Sequence, residues 1–214
     1  MSEQLFEAIV QHDLSRVGVL LAQGADPNAP NEEGWRPIHI AIGELGVGGS
    51  AEFVKLLIQS GADVNAWDVN HHETPLMSAS VPEGMEAARV LLEAGADPNV
   101  RNRVGDSPLR LCVWEDDLDM VALLLRHGAG LTINEYGGDF AWTALAIAAH
   151  RFNIPMIELL LGAGADPEAT DDFGRTARDH LPPREDHDPE AWDRVMELLG
   201  RRKPGVHQDT DMDG

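Results

Sequence analysis

The stretch Leu91-Leu92-Glu93-Ala94-Gly95-Ala96-Asp97-Pro98-Asn99 decides the fold of this chain, because its elements return at regular intervals. Its last five residues, Gly-Ala-Asp-Pro-Asn, recur intact or altered at 24–28, 61–65, 128–132 and 164–168. Successive copies begin 37, 34, 33 and 36 residues apart. A period of this size predicts a stack of similar small units instead of one globular fold around a single buried site.

Two further phrases stay in phase with the first. An apolar pair ends three residues before each glycine: Leu20-Leu21, Leu57-Ile58, Leu91-Leu92, Leu124-Leu125 and Leu160-Leu161. A helix-start phrase follows each glycine: Arg36-Pro37, Thr74-Pro75, Ser107-Pro108, Thr143-Ala144 and Thr176-Ala177. A Ser or Thr hydroxyl caps free backbone N–H groups and proline fits the first helical position, whereas glycine ends a helix in the left-handed conformation. Each unit therefore reads as two short helices followed by a turn that projects from the stack.

These three phrases resemble the ankyrin repeat family over roughly residues 3–200. The resemblance implies an all-α repeat solenoid of helix-turn-helix units with projecting β-hairpin loops, with about four internal repeats plus atypical terminal units. The expected helix pairs lie near 3–22, 36–59, 74–93, 107–126, 143–161 and 175–200. The expected domain is a solenoid over 1–202, with units at 3–33, 34–70, 71–104, 105–139, 140–173 and 174–202.

The family resemblance implies a non-catalytic module that binds another protein through its concave face and hairpin tips. It implies no cofactor and no metal. It also makes Asn65 a candidate for hydroxylation, because the stretch from Leu57 to Asn65 matches a phrase that is modified in some ankyrin proteins. Since ankyrin repeats bind unrelated targets, the resemblance does not name the partner.

Composition narrows the class of partner. The chain has 16 Lys and Arg against 37 Asp and Glu, a net charge of −21. This balance argues against nucleic acid and anionic membranes, which need basic residues, and it favours a basic protein. Acidity that simply maintains solubility is the alternative interpretation. A single cysteine, no long apolar run and no signal-peptide pattern at Met1 predict a cytoplasmic protein, which we expect to be a monomer.

Aromatic and cationic side chains occupy loop and first-helix positions that the family leaves variable. They form the expected partner-binding set: Trp35, Trp67, His71, His72, Arg101, Arg103, Trp114, Tyr136, Phe140, Trp142, Phe173 and Arg175. Four of the tryptophans come from successive units, so one ligand could touch all four. For each residue taken singly, local packing is the alternative interpretation.

The loop after Gly128 departs most from the repeat. Its copy of the phrase has lost the Asp, and its helix-start phrase comes three residues later than in its commonest counterpart. The extra length is expected in a hairpin over 134–142, which holds the only tyrosine of the chain, Tyr136. Exposed aromatic residues on a projecting loop are typical interface anchors. Alternatively, Phe140 and Trp142 fold back over a neighbouring loop.

Three other functions remain open at this stage. An acidic repeat protein could be an inhibitor or immunity-type protein that neutralises a toxin or a nucleic-acid enzyme with a basic cleft. His180 and His187, with Asp186 and Asp188 beside them, could bind a metal or perform chemistry, although zinc would need further converging ligands. The chain could also be a structural adaptor in a larger assembly.

The remaining chemistry-bearing residues have structural interpretations. His39 stands where the family usually has a histidine that bonds backbone near the turn, and Cys112 takes a small-residue position in a first helix, so we expect burial for both. The last residues, 209–214, match the first half of an EF-hand loop but stop before its glutamate. We therefore expect 203–214 to be a disordered acidic tail.

Overall fold

A computed structural model describes residues 1–69 and 72–200. Within those ranges the chain forms eleven α-helices, several short 3₁₀ segments and one two-stranded hairpin. The helices are α1 Ser2–Val10, α2 Leu14–Ala22, α3 Pro37–Gly43, α4 Ala51–Gln59, α5 Pro75–Ser78, α6 Met85–Glu93, α7 Pro108–Trp114, α8 Leu118–Arg126, α9 Ala144–His150, α10 Ile154–Gly162 and α11 Pro189–Leu198. The strands are β1 Tyr136–Gly137 and β2 Trp142–Thr143.

The helices begin where the repeated phrases predict. The hydroxyl oxygens of Thr74, Ser107 and Thr143 accept hydrogen bonds from backbone N–H groups in the first turns of α5, α7 and α9. Carboxylate and amide side chains cap several second helices, and the sequence analysis did not identify them: Asp13 caps α2, Asp117 caps α8 and Asn153 caps α10. Because the turns between paired helices are short, each pair packs antiparallel.

The repeated glycines end the second helices, as predicted. Gly24, Gly61, Gly95, Gly128 and Gly164 have φ values between 91° and 96°, a backbone region that strains any residue with a Cβ atom. The chain leaves each helix there and enters the turn that leads to the next repeat. The glycine of the phrase is therefore a backbone requirement of the stack.

The asparagine of the phrase joins one repeat to the next. Asn28 donates from Nδ2 to the carbonyl of Gly61 at 2.8 Å and accepts from the backbone N–H of Asp63 at 2.8 Å. Asn65 and Asn99 make the same pair of bonds to the repeats that follow them. These side chains form a ladder along one edge of the solenoid, so the repeated phrase serves the scaffold.

The ladder corrects the placement of the extra residues after Gly128. Asn134 takes the ladder position, because its Oδ1 accepts from the backbone N–H of Asp166 at 2.7 Å. Since Asn134 lies six residues after Gly128, where the other copies have four, two of the extra residues precede it. They fall in the 3₁₀ segment Ala129–Thr132 and not in the projecting hairpin.

The core is a continuous stack of leucine, isoleucine, valine and alanine side chains, from Leu5 in α1 to Leu199 after α11. The first helices contribute small residues such as Ala41 and Ala148, both 1% exposed, so neighbouring helices approach closely. The insertions between paired helices in the second and third units form 3₁₀ turns, Glu44–Val47 and Pro82–Gly84.

The last unit is atypical, as expected of a terminal repeat. Its first element is a 3₁₀ turn, Ala177–His180, where an α-helix was predicted, and a second 3₁₀ turn, Arg184–Asp186, precedes α11. Arg178 ties this unit together by donating from Nη2 to the carbonyl of Leu199 at 2.8 Å and to the carboxylate of Glu168 at 2.7 Å. The expected tail at 203–214 lies outside the described residues. None of the described helices combines the length and apolar character needed to cross a bilayer.

Candidate functional site

Five loops project between the helix pairs, and we call them fingers 1 to 5. They lie at 31–35, 68–73, 102–106, 136–143 and 170–176. In finger 1, Asn31 Oδ1 accepts from the backbone N–H groups of Glu33 at 3.1 Å and Trp35 at 2.8 Å. Asn102 and Asp171 accept the equivalent two bonds in fingers 3 and 5 at 2.8–3.1 Å. One side chain at the base therefore fixes the shape of each of these fingers.

Regular β-pairing in the described residues is concentrated in finger 4. There, Tyr136 pairs with Thr143 and Gly137 with Trp142 in antiparallel register. Finger 5 has a single bridge between Thr170 and Thr176. Fingers 1 and 3 are tight turns, each closed by two backbone hydrogen bonds, so these two predicted hairpins are shorter than expected.

Backbone hydrogen bonds join fingers 3, 4 and 5 to one another. The N–H of Gly138 donates to the carbonyl of Val104 at 2.8 Å, and the N–H of Asp172 donates to the carbonyl of Ala141 at 3.3 Å. The approach is so close that a Cβ atom on Gly137 would lie 2.2 Å from the carbonyl oxygen of Gly105. The three loops therefore form one connected surface.

An apolar side chain stands exposed at the tip of each of these three fingers. Val104, Phe140 and Phe173 are 54%, 50% and 70% exposed, and we call them the tip row. Each precedes a residue with positive φ, at Gly105, Ala141 and Gly174. The sequence analysis selected Phe140 and Phe173 but missed Val104, because that valine was not compared with its counterparts in other fingers.

The structure separates the selected aromatic residues by exposure. Trp67 is 39% exposed and Tyr136 41%, whereas Trp35, Trp114 and Trp142 are half-buried. The four tryptophans therefore do not present equal surfaces to a single ligand. Of the remaining selected residues, Arg101, Arg103 and Arg175 are exposed, His72 is half-buried with φ of 54°, and His71 lies outside the described residues.

The aromatic residues of finger 4 pack into a cluster on α7 and the last unit. Trp114 stacks on Phe140 with ring centroids 5.5 Å apart, and Phe140 lies 5.1 Å from Trp142. Trp142 also contacts the rings of His150 at 4.9 Å and His180 at 4.6 Å. Trp142 therefore folds back into the cluster, whereas half of Phe140 remains exposed.

A cleft of about 250 Å³ lies between finger 4 and α7. Its lining residues are Asp106, Arg110, Leu111, Trp114, Gly138, Asp139 and Phe140. Arg110 is buried, forms an ion pair with Asp106, and donates from Nε to the carbonyl of Trp142 at 2.9 Å. Burial lowers the pKa of Arg110 to about 10. The sequence analysis missed this pair, whose signal is an acidic and a basic residue four positions apart at the start of a first helix.

A buried carboxylate–imidazole pair fixes finger 5. His180 Nε2 lies 2.9 Å from Asp171 Oδ2, and the same oxygen accepts from Arg175 Nε at 3.0 Å. Burial lowers the pKa of His180, although the carboxylate opposes this effect. Burial alone would raise the pKa of Asp171, but the hydrogen bonds from Arg175, His180 and the backbone N–H of Phe173 outweigh it and lower the pKa. The pair is therefore neutral imidazole donating to an ionised carboxylate.

Comparisons with known proteins agree with this geometry. The family model of ankyrin repeats in three copies matches residues 5–102 and 83–171. The chain belongs to the ankyrin repeat family. A solved structure described as an ankyrin repeat protein, EF0377, superimposes with a TM-score of 0.77 at 26% identity, covering 94% of this chain and 98% of that one.

Three curated relatives are similar to this ankyrin repeat protein over about three quarters of its length. The E3 ubiquitin-protein ligase KEG of Arabidopsis thaliana is 34% identical over 161 residues, 73% of this chain and 10% of the ligase. Notch homolog protein 1 of Xenopus laevis is 32% identical over 75% of this chain and 7% of its own length. A putative ankyrin repeat-containing protein of Treponema pallidum is 30% identical over 75% of this chain and 51% of its own. The chain thus spans only part of each of these relatives.

The other chemistry-bearing residues of this ankyrin repeat protein have structural roles. His39 Nε2 lies 3.3 Å from the carbonyl of Glu73, as the family position implied. Cys112 is 1% exposed, and burial raises its pKa to about 12. His187 stacks on Phe152 at 4.1 Å, away from the bond between His180 and Asp171. Over 1–69 and 72–200, no three His, Cys, Asp or Glu side chains are placed to hold a metal ion, so the suggested metal site is not assembled there.

Proposed function

We propose that this ankyrin repeat protein is a non-catalytic module that holds a basic protein partner on its fingers and concave face. Ankyrin repeats are protein–protein interaction modules, and the proposal adds the surface and the charge of the partner. The tip row is the observation that carries it: Val104, Phe140 and Phe173 are apolar, exposed by half or more, and held on connected loops. Aromatic residues placed in this way are typical anchors of protein interfaces.

Charge supports a basic partner. The chain carries −21, and carboxylates accompany the apolar tips, at Asp139 beside Phe140 and Asp172 beside Phe173. Complementary charge raises association rates and suppresses binding to acidic proteins. A nucleic-acid ligand would need clustered Lys and Arg to neutralise phosphates, and this composition does not supply them. Toxins and nucleic-acid enzymes with basic clefts belong to the partner class proposed here.

The rest of the proposed surface lies beside the tip row. Trp67 and Tyr136 add exposed aromatic area, and Arg101, Arg103 and Arg175 add polar groups. Trp35, Trp114 and Trp142 contribute chiefly by supporting these loops, since each is half-buried. We propose that the protein acts as a cytoplasmic monomer, as the single cysteine and the acidic surface suggest.

The experiment is capture followed by a salt series. The tagged chain is used as bait in extract from its own source cells, captured proteins are identified by mass spectrometry, and the best candidate is purified. We expect a basic protein whose affinity falls at least about tenfold between about 50 and 300 mM salt. An acidic partner, or affinity independent of salt, would contradict the proposal.

A charge-matched pair of variants sharpens the test. The first double variant, Asp139→Asn with Asp172→Asn, removes two carboxylates at the finger tips. The control double variant, Glu86→Gln with Asp119→Asn, removes one exposed carboxylate from α6 and one from α8. Only the first double variant is expected to weaken binding and flatten the salt dependence. Equal effects from both would mean that net charge alone attracts the partner.

A further inference from the structure

Fingers 3, 4 and 5 share backbone hydrogen bonds, from Gly138 to Val104 and from Asp172 to Ala141. Next to fingers 1 and 2, the Nε atom of Arg36 donates to the carbonyl of Trp67 at 3.3 Å. A surface held by backbone bonds loses less conformational freedom when a ligand binds, so more of the contact energy appears as affinity.

The apolar tips of fingers 3 to 5 lie on this connected backbone. The residue before the positive-φ position is Val104, Phe140 and Phe173 in fingers 3, 4 and 5, whereas in finger 1 it is Glu33. Desolvating three apolar side chains is favourable. Fingers 3 to 5 therefore offer an anchor surface of three apolar tips on connected loops.

Guanidinium groups of the chain itself lie over two aromatic rings in this region. The Cζ atom of Arg175 lies 5.0 Å from the ring centroid of Phe173, and that of Arg151 lies 5.3 Å from the ring of Trp114. Cations at such distances are attracted by the negative face of the ring. A lysine or arginine brought by a partner would meet the same kind of surface.

The cleft beside Phe140 combines these chemistries. Leu111, Trp114 and Phe140 give it apolar walls, and Asp106 and Asp139 bring carboxylates to its lining. Asp106 is paired with Arg110, and the nearby carboxylate of Asp139 opposes the lowering of the Arg110 pKa. The cleft thus offers apolar contact together with two carboxylates against one guanidinium, which suits the stem and head of a long cationic side chain.

We propose that the partner is recognised chiefly by fingers 3 to 5, through a segment that combines apolar residues with lysine or arginine. The apolar residues of that segment pack on the tip row, and one cationic side chain enters the cleft between Trp114 and Phe140. This inference rests on the proposed function, since it names the part of the surface and the ligand chemistry that serve it. It predicts that fingers 1 and 2 contribute little to the affinity.

The test uses a random twelve-residue peptide library displayed on phage and selected against the full chain. Selected peptides are synthesised, and their affinities are measured by calorimetry for the wild type and for variants. We expect selected peptides that are enriched in Lys or Arg beside Leu, Ile or Phe. Phe140→Ala and Phe173→Ala should each weaken binding about tenfold, and Asp139→Asn several-fold.

The matched control is Val69→Ala, which removes an exposed apolar side chain from finger 2, where this residue is 59% exposed. It is expected to change affinity less than about twofold. Because Phe173 is 70% exposed, its replacement should leave the unfolding midpoint unchanged, so that loss of binding is not loss of fold.

The outcomes separate this inference from the function on which it rests. Peptides that depend on Val69 and not on Phe140 or Phe173 would overturn the inference and leave the proposed function standing. Selection of acidic peptides would overturn the proposed chemistry, and so would failure to enrich any sequence above an unrelated ankyrin protein. The proposed function would then be judged by capture of the native partner.

Discussion

The backbone N–H of Gly138 donates to the carbonyl oxygen of Val104 at 2.8 Å, so fingers 3 and 4 are joined near their tips. This bond places Phe140 and Val104, two members of the tip row, on one piece of connected backbone. Loops are usually the most mobile parts of a repeat protein. Here backbone hydrogen bonds join the loops to one another, so they form one connected surface.

Gly137→Ala should disrupt the close packing of fingers 3 and 4. A Cβ atom at 137 would lie 2.2 Å from the carbonyl oxygen of Gly105, which is backbone and has no freedom to move aside. We expect a loss of about 1 to 3 kcal/mol in the free energy of unfolding, measured by urea denaturation. Gly130→Ala is the control, since nothing lies within 4 Å of the added atom. Equal stability of the two variants would contradict the close approach of fingers 3 and 4.

Removing either partner of the buried pair between Arg110 and Asp106 should be strongly destabilising. Arg110→Met leaves a carboxylate without its counter-ion, and Asp106→Asn leaves a buried guanidinium, at a cost of about 3 to 5 kcal/mol for a fully buried pair. The double variant should recover much of that loss, because no uncompensated charge remains. Chemical denaturation of the four proteins measures the coupling, and additive losses would argue against direct contact.

Asn99→Ala should weaken the coupling between two repeats. The amide of Asn99 donates to the carbonyl of Gly128 at 2.9 Å and accepts from the N–H of Leu131 at 3.1 Å. Loss of two hydrogen bonds should lower the free energy of unfolding by about 1 to 3 kcal/mol. Lys55→Ala, on the exposed face of α4, should change it by less than about 0.5 kcal/mol. A neutral Asn99→Ala variant would contradict the structural role given to the repeated phrase.

Acid should destabilise the C-terminal unit in two stages. The pKa of His180 is lowered from its usual 6.5, so the unfolded chain binds that proton more readily and stability is lost as the pH falls below 6.5. The pKa of Asp171 is lowered from 3.8, so its contribution is present above that value and is lost at still lower pH. Arg175 and His150 are the other charged or titratable groups that act on this pair.

Unfolding midpoints measured between pH of about 7.5 and 5 test the first stage. His180→Gln should flatten the decline over that interval, and Lys55→Gln should leave its slope as in the wild type. A His180→Gln variant that retains the full decline would assign the pH dependence to other groups.

Cys112 should be unreactive in the native protein. Its side chain is 1% exposed and its pKa is raised to about 12 by burial, so almost no thiolate forms near pH 8, a typical labelling condition. Labelling with a coloured disulfide reagent should be slow in buffer and fast in denaturant. Rapid labelling without denaturant would indicate local opening of α7.

The sequence was sufficient for the scaffold because its signals are local. Thr74, Ser107 and Thr143 mark helix starts, and glycines such as Gly95 mark helix ends, without reference to the rest of the chain. The same reasoning placed the extra residues in the hairpin, whereas two of them precede Asn134. The hydrogen bond that locates Asn134 joins residues in different repeats, so no local pattern predicts it. It also expected an α-helix at 177–180, where the structure has a 3₁₀ turn.

The candidate surface was only partly predictable, because exposure depends on packing between fingers. Trp67 and Trp142 look alike in the sequence, but Trp142 is packed against His150 and His180 whereas Trp67 is exposed. The cleft depends on Arg110, which donates a hydrogen bond to the carbonyl of Trp142 in finger 4. The repeat pattern of the sequence does not predict that contact. In the tip row, Val104 and Phe173 each precede a glycine, which is a sequence signal, whereas Phe140 precedes Ala141, whose positive φ only the structure shows.

Site-specific photo-crosslinking tests the central claim most directly. A photoreactive amino acid is placed at Phe173 in finger 5 and, in a separate protein, at Glu86 on α6, which is exposed away from the fingers. After irradiation in source cells, we predict a discrete crosslinked adduct to one basic protein from position 173 and a much weaker one from position 86. The reverse pattern, or equal labelling of many proteins from both positions, would contradict a partner-binding surface at the finger tips.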